Sequence, residues 1–100
     1  MNTTPIDEVI GILQEVKHII ELPDTDVAWS RYTSAEEAAN DIDQHIERLR
    51  RGDLSKIEDL TLLFAPTGSL QEISISSGWG EGFLYLAARF DRAIEPLRSK

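Results

Sequence analysis

The segment Leu60–Phe83, LTLLFAPTGSLQEISISSGWGEGF, decides the fold that the sequence predicts. Apolar residues alternate in both halves of it, at Leu60, Leu62 and Phe64 and then at Ile73 and Ile75. A period of two is typical of strands. Between the halves, Pro66–Ser69 contains a proline that presets a corner and a glycine that accepts a positive φ. The segment therefore predicts a β-hairpin over residues 60–76, with its apolar alternation facing the core.

Three amphipathic helices are predicted around this hairpin. Their ranges are Pro5–Glu21, Ala35–Arg51 and Glu81–Glu95. Thr4 is a natural N-cap for the first helix, and Ser34 with Glu37 forms a capping box for the second. Gly52 is expected in the left-handed region after the second helix. Pro96 is expected to end or kink the third helix.

A short third strand is predicted between the first two helices. Val27, Trp29 and Arg31 occupy alternate positions there, with aromatic and β-branched content that favours a strand. The element order is then α–(β)–α–β–β–α. This order predicts an α+β fold, in which a small antiparallel sheet packs against three helices, and a single compact domain over residues 1–100.

Charge is distributed unevenly along the chain, whose formal net charge is −8. Residues 1–47 hold eleven acids against Lys17 and Arg31, a balance of −9, and residues 48–100 hold seven acids against eight bases, a balance of +1. Such a surface repels nucleic acid and anionic membranes and attracts a basic protein partner. Solubility alone is the other explanation of this acidity.

The chain has no cysteine, and its first residues lack the basic and apolar stretches of a signal peptide. No apolar run approaches the length that spans a membrane. We therefore expect a cytoplasmic protein.

Trp29, Arg31 and Tyr32 form the first candidate binding cluster. Tryptophan, tyrosine and arginine are the residues that protein interfaces enrich. The cluster therefore suggests a contact surface for a protein partner. In the alternative interpretation Trp29 lies in the core and Arg31 stacks on Tyr32 at the surface.

The glycine-rich run Gly78-Trp79-Gly80-Glu81-Gly82 is the second candidate. Trp79, flanked by glycines, is predicted to be partly exposed and to act as an interface anchor together with Glu81. In the alternative interpretation the glycines only permit a tight reversal, with Trp79 covering the core. Nucleotide binding is disfavoured, because Glu81 lies where a phosphate would have to bind.

No catalytic or metal-binding constellation stands out in the sequence. Glu15, His18 and Glu21 share a helix face, but a di-iron site needs a second such motif that the chain lacks. His45 pairs at one-turn spacing with Asp41 and has no clear third ligand. We expect no metal, no cofactor and no catalytic residue set.

These observations predict a non-enzymatic protein-binding or regulatory domain. In its sharpest form it is an inhibitor or immunity-type protein that covers a basic site on its partner. The chain is similar in bulk character to bacterial immunity proteins and other small inhibitors, being small and acidic. Two alternatives stay open: a small-molecule-binding domain or small enzyme that uses the Gly78–Gly82 loop, and a structural homodimer.

Overall fold

A computed structural model describes residues 4–28, 30–66 and 68–98, and these residues form five helices. The helices are α1 (Pro5–Ile20), α2 (Ala35–Arg50), α3 (Ile57–Leu63), α4 (Ser69–Ser76) and α5 (Gly80–Arg98). None of the described residues forms a strand. The predicted α+β fold with an antiparallel sheet is therefore wrong, and the described chain is all-helical.

The segment predicted as a hairpin over residues 60–76 instead contains α3 and α4. Its buried residues recur at helical spacing: Ile57, Leu60 and Leu63 in α3, and Leu70, Ile73 and Ser74 in α4. Leu62 and Ile75, predicted to face the core, are 63% and 59% exposed. The apolar alternation was misleading because a period of two and the helical period coincide at every fourth residue, and helices of seven and eight residues are too short to separate the two patterns.

The predicted strand over residues 27–31 is also wrong for the residues that the structure describes there. Val27, Ala28, Ser30 and Arg31 belong to an irregular connection with turns and bends, and Trp29 lies outside the described residues. A strand needs a neighbour to satisfy its backbone, and the hairpin that would have supplied one is helical. The connection instead lies along α4.

Two side-chain hydroxyls of α4 and its C-cap hold this connection. The Asp26 amide donates to Ser77 Oγ at 2.9 Å, and the Arg31 amide donates to Ser69 Oγ at 3.2 Å. Ser69 begins α4, and Ser77 caps its end. The connection therefore runs the full length of α4 in the opposite direction.

The three longer helices are confirmed, with small differences at their ends. Thr4 Oγ1 accepts from the Asp7 amide at 3.1 Å, and Ser34 Oγ accepts from the Glu37 amide at 3.0 Å. Gly52 has φ +74°, as expected after α2. Because Thr4 and Ser34 cap α1 and α2 with side-chain hydrogen bonds, the sequence locates the starts of these two helices well.

α5 differs most from its predicted range. It begins at Gly80 and continues past Pro96 to Arg98, so Pro96 does not end the helix, which was one of the two effects predicted for it. Proline removes one backbone hydrogen bond and crowds the carbonyl four residues earlier. Since Pro96 is two residues from the end of α5, little helix remains for it to disrupt.

α1 lies at the centre of the fold and packs against both α2 and α5, while α4 packs against α5. Val9, Ile12, Leu13, Val16 and Ile20 of α1 are completely buried. At the other end of the core, the Phe64 ring lies 3.9 Å from that of Phe90, measured between centroids. Within the described part of the chain, no helix is both long enough and apolar enough to cross a membrane.

Candidate functional site

α2 separates apolar from charged residues around its circumference. Its buried side is formed by Ala38, Ala39, Ile42, His45, Ile46 and Leu49. Away from that side lie the residues that we call the acidic face of α2: Glu36, Glu37, Asn40, Asp41, Asp43, Gln44 and Glu47. This separation follows from the helical period, and it collects five carboxylates on one helix.

A shallow groove of about 620 Å³ runs along this face. Its lining residues are Arg31, Tyr32, Ser34, Glu36, Glu37, Asn40, Asp41 and Gln44. Three of these side chains are carboxylates and one is a guanidinium. The groove therefore has a net negative charge, with amide groups of Asn40 and Gln44 between the charges.

A second groove of about 530 Å³ adjoins the first, because Glu36 and Asn40 line both. It lies between the start of α2 and the end of α1, and Leu22, 51% exposed, lines it. A salt bridge of 3.0 Å joins Lys17 to Asp43 on this side. The acidic face of α2 is therefore bordered by two adjoining grooves, and Leu22 and Pro23 are exposed apolar side chains in the second.

Arg31, Tyr32 and Asp41 form a hydrogen-bonded cluster in the first groove. The Tyr32 hydroxyl donates to Asp41 Oδ2 at 2.6 Å, and an Arg31 guanidinium nitrogen donates to the same oxygen at 2.9 Å. Burial alone would raise the pKa of the Asp41 carboxyl, but these two hydrogen bonds and the nearby positive charges together hold the pKa below its usual value. Burial and the neighbouring carboxylate raise the pKa of Tyr32. Asp41 is therefore a fixed anion beside a neutral phenol.

His45 lies one turn beyond Asp41, on the buried side of α2. Its Nδ1 is 3.3 Å from a guanidinium nitrogen of Arg48. Burial lowers the pKa of the imidazole; Asp41 and Asp59 oppose this effect, while Arg48 and Arg31 add to it. The geometry makes His45 a neutral, buried group beneath the acidic face.

The structure brings two members of the first predicted cluster together. The Arg31 guanidinium lies over the Tyr32 ring, 5.1 Å from its centroid. Tyr32 is buried, while the Arg31 side chain is 53% exposed. The arrangement corresponds to the alternative in which Arg31 stacks on Tyr32. Trp29, the third member, lies outside the described residues.

The second predicted cluster lies at the other end of α4. Trp79 is half-buried, in agreement with the partial exposure predicted for it, and packs edge-on against Phe83 at 6.2 Å. Gly78 has φ +88°, whereas Gly80 and Gly82 are helical residues of α5. Glu81 is exposed in the first turn of α5. Of the three glycines, only Gly78 therefore has the backbone conformation that a turn into α5 requires.

The sequence reasoning missed the residues that line the main groove beside Arg31. Glu36, Asn40 and Gln44 follow one another at one-turn spacing on the exposed side of α2. That spacing is visible in the sequence once α2 is placed. The prediction rested only on the excess of acidic residues in the first half of the chain, and not on the helix face that they share.

Across residues 4–28, 30–66 and 68–98, no three histidine or carboxylate groups come close enough together to hold a metal ion. Comparison with protein-family models, curated proteins and solved structures finds no match to this chain.

Proposed function

We propose that this chain is a non-enzymatic regulatory protein of the cytoplasm that covers a basic site on a partner protein with the acidic face of α2. The observation that carries this proposal is the groove beside that face, which three carboxylates and one guanidinium line. Since its negative charge is concentrated beside a concave surface, a positively charged protrusion is attracted to it.

Glu36 is the best-placed ligand for a lysine or arginine of the partner. It is exposed, borders both grooves and has no ion-pair partner among the described residues. Glu37, by contrast, accepts hydrogen bonds from Thr33, and Asp41 is occupied by Arg31 and Tyr32. A guanidinium bound to Glu36 would also come near the amide oxygen of Asn40, one turn further along α2, and a charge-assisted pair of this kind is stronger than a neutral hydrogen bond.

The alternative of a ligand site at the Gly78–Gly82 loop has less support. Two of its three glycines are helical, and Trp79 packs against Phe83 instead of lining a groove described above. Three carboxylates and the groove of about 620 Å³ that they line lie together beside α2. The acidic face is therefore the better candidate for the binding site.

The test compares two variants that change the net charge equally. Asn40→Lys/Gln44→Lys adds two positive charges to the acidic face, and Asp91→Asn/Glu95→Gln removes two negative charges from α5. Both variants bring the formal net charge from −8 to −6. Each is immobilised beside the unchanged chain, and proteins captured from lysate of the source cells are quantified at two salt concentrations.

The proposal predicts a basic protein whose capture weakens with salt, is lost with the α2 variant and is retained by the α5 variant. Equal loss with both variants would indicate a response to overall charge alone. Equal retention by both would place the contact elsewhere, and either result would contradict the proposal.

A further inference from the structure

We propose that α5 also forms a symmetric antiparallel pair with α5 of a second copy of this chain. The inference is independent of the partner proposed for α2, because it concerns a different helix. The exposed side of α5 carries large apolar side chains that the rest of the fold does not cover. Leu84 is 61% exposed and Tyr85 is 67% exposed.

The exposed residues of α5 form a stripe opposite its buried stripe. Glu81, Tyr85, Ala88 and Arg92 are all exposed, at spacings of four, three and four residues. At about 100° per residue these four positions lie within about 60° of one another. The buried residues Phe83, Leu86, Phe90, Ile94 and Leu97 lie on the other side of the helix. The stripe is thus the outermost line of α5.

Ile75 of α4 extends this apolar surface. It is 59% exposed, and its Cγ1 lies 3.4 Å from the position that a Cβ on Gly80 would occupy. Leu84 follows Gly80 by one helical turn, so its side chain projects beside Ile75. The surface therefore contains exposed leucine, isoleucine and tyrosine side chains on two adjacent helices, more than scattered single apolar residues would give.

The charges and side-chain sizes along this stripe are complementary to those of the same stripe in a second copy that runs in the opposite direction. In an antiparallel pair centred between Leu86 and Ala87, Glu81 of one copy lies opposite Arg92 of the other, and Tyr85 lies opposite Ala88. Neither Glu81 nor Arg92 has an ion-pair partner among the described residues. Each symmetric pair of α5 helices would gain two such ion pairs and two contacts of a large side chain with a small one. This complementarity identifies a second copy as the occupant.

The proposed pairing can be tested by exchanging the charges at positions 81 and 92. Glu81→Arg and Arg92→Glu each place like charges opposite one another, so each single variant should be monomeric. The double variant Glu81→Arg/Arg92→Glu restores opposite charges and should dimerise again. Glu36→Arg makes the same charge change on α2 and should leave the dimer intact. Sedimentation equilibrium from about 1 µM to 1 mM covers weak as well as tight association.

A second measurement does not depend on the charge variants. The chain has no cysteine, so a single Ala88→Cys can be joined by a short bismaleimide cross-linker only to another copy. We expect a cross-linked dimer from Ala88→Cys and none from Gln14→Cys on α1. A chain that stays monomeric at 1 mM, single variants that dimerise like the unchanged chain, a double variant that stays monomeric, or no cross-link at position 88 would each overturn the proposal.

Discussion

Gly68 is required because the backbones of α3 and α4 pass very close to one another. A Cβ at this position would lie 2.8 Å from the carbonyl oxygen of Leu63, and it would also press on that of Leu62. These are backbone atoms in a helix end, so they cannot rotate away as a flexible side chain can. The start of α4 therefore lies tightly against the C-terminal carbonyl groups of α3.

We therefore expect Gly68→Ala to lower the free energy of unfolding by about 2–3 kcal/mol, the upper range for overpacking. Gly11→Ala is the matched control, because Gly11 lies within α1 with no atom near its Cβ position. It should raise the free energy of unfolding by about 0.5–1 kcal/mol, since alanine favours a helix interior. Urea unfolding measures both. A neutral Gly68→Ala would refute the close passage.

His45 gives the fold a dependence on pH. Burial lowers the pKa of His45 in the folded protein below the ordinary value of 6.5, so the unfolded chain binds a proton at a higher pH than the folded chain does. Stability is then fully present above about pH 6.5 and decreases as the pH falls through the lowered pKa. Asp41, whose pKa is also lowered, adds a further loss at more acidic pH.

We expect His45→Gln to flatten the decrease in unfolding free energy between pH 7 and pH 5, because the titrating group is gone. His18→Gln, on the exposed side of α1, removes the other imidazole and serves as the control. It should keep the decrease of the unchanged chain. Urea unfolding at several pH values measures this, and a decrease that survives in His45→Gln would show that another group causes it.

At the scale of the elements, the sequence located the three longer helices, two of which begin at a capping side chain, and missed the two short helices α3 and α4. α1 and α2 begin at Thr4 and Ser34, whose side chains accept from the helix backbone. α3 begins after Lys56 and α4 after Gly68, and neither cap makes a side-chain hydrogen bond. Such short helices are stabilised by tertiary packing, which no local sequence pattern indicates.

The candidate site, like the helices, could be predicted from the sequence only in part. The acidity of the first half and the proximity of Arg31 to Tyr32 could be predicted from the sequence. The role of Asp41 could not, because the connection that carries Arg31 and Tyr32 has to be placed beside α2 first. That placement depends on hydrogen bonds to Ser69 and Ser77, which are distant in sequence.

The hydroxyl of Ser77 fixes the start of that connection. Ser77→Ala removes the acceptor of the Asp26 amide, and such a hydrogen bond contributes about 0.5–1.5 kcal/mol. We expect hydrogen exchange at the Asp26 amide to accelerate by up to about tenfold. Ser76→Ala, which replaces the adjacent serine, should leave that rate unchanged. Equal acceleration in both variants would point to general loosening of α4.

At the scale of the whole molecule, the acidic surface and the exposed apolar surface lie on different helices. The acidic face of α2 carries Glu36 and its neighbouring carboxylates, and α5 carries Leu84 and Tyr85 on its outer side. α1 lies between these two helices and packs against both. A chain arranged in this way can bind a basic partner through α2 while a second copy occupies α5.

The most direct test of the proposed function is to map the contact surface on the chain. The captured basic partner is titrated into the isotopically labelled chain, and the backbone amide signals are followed by NMR. We predict that the largest shifts or intensity losses fall within residues 34–47, and that they are absent in Asn40→Lys/Gln44→Lys. Changes confined to residues 69–92, with residues 34–47 unaffected, would contradict the proposal that the acidic face of α2 binds the partner.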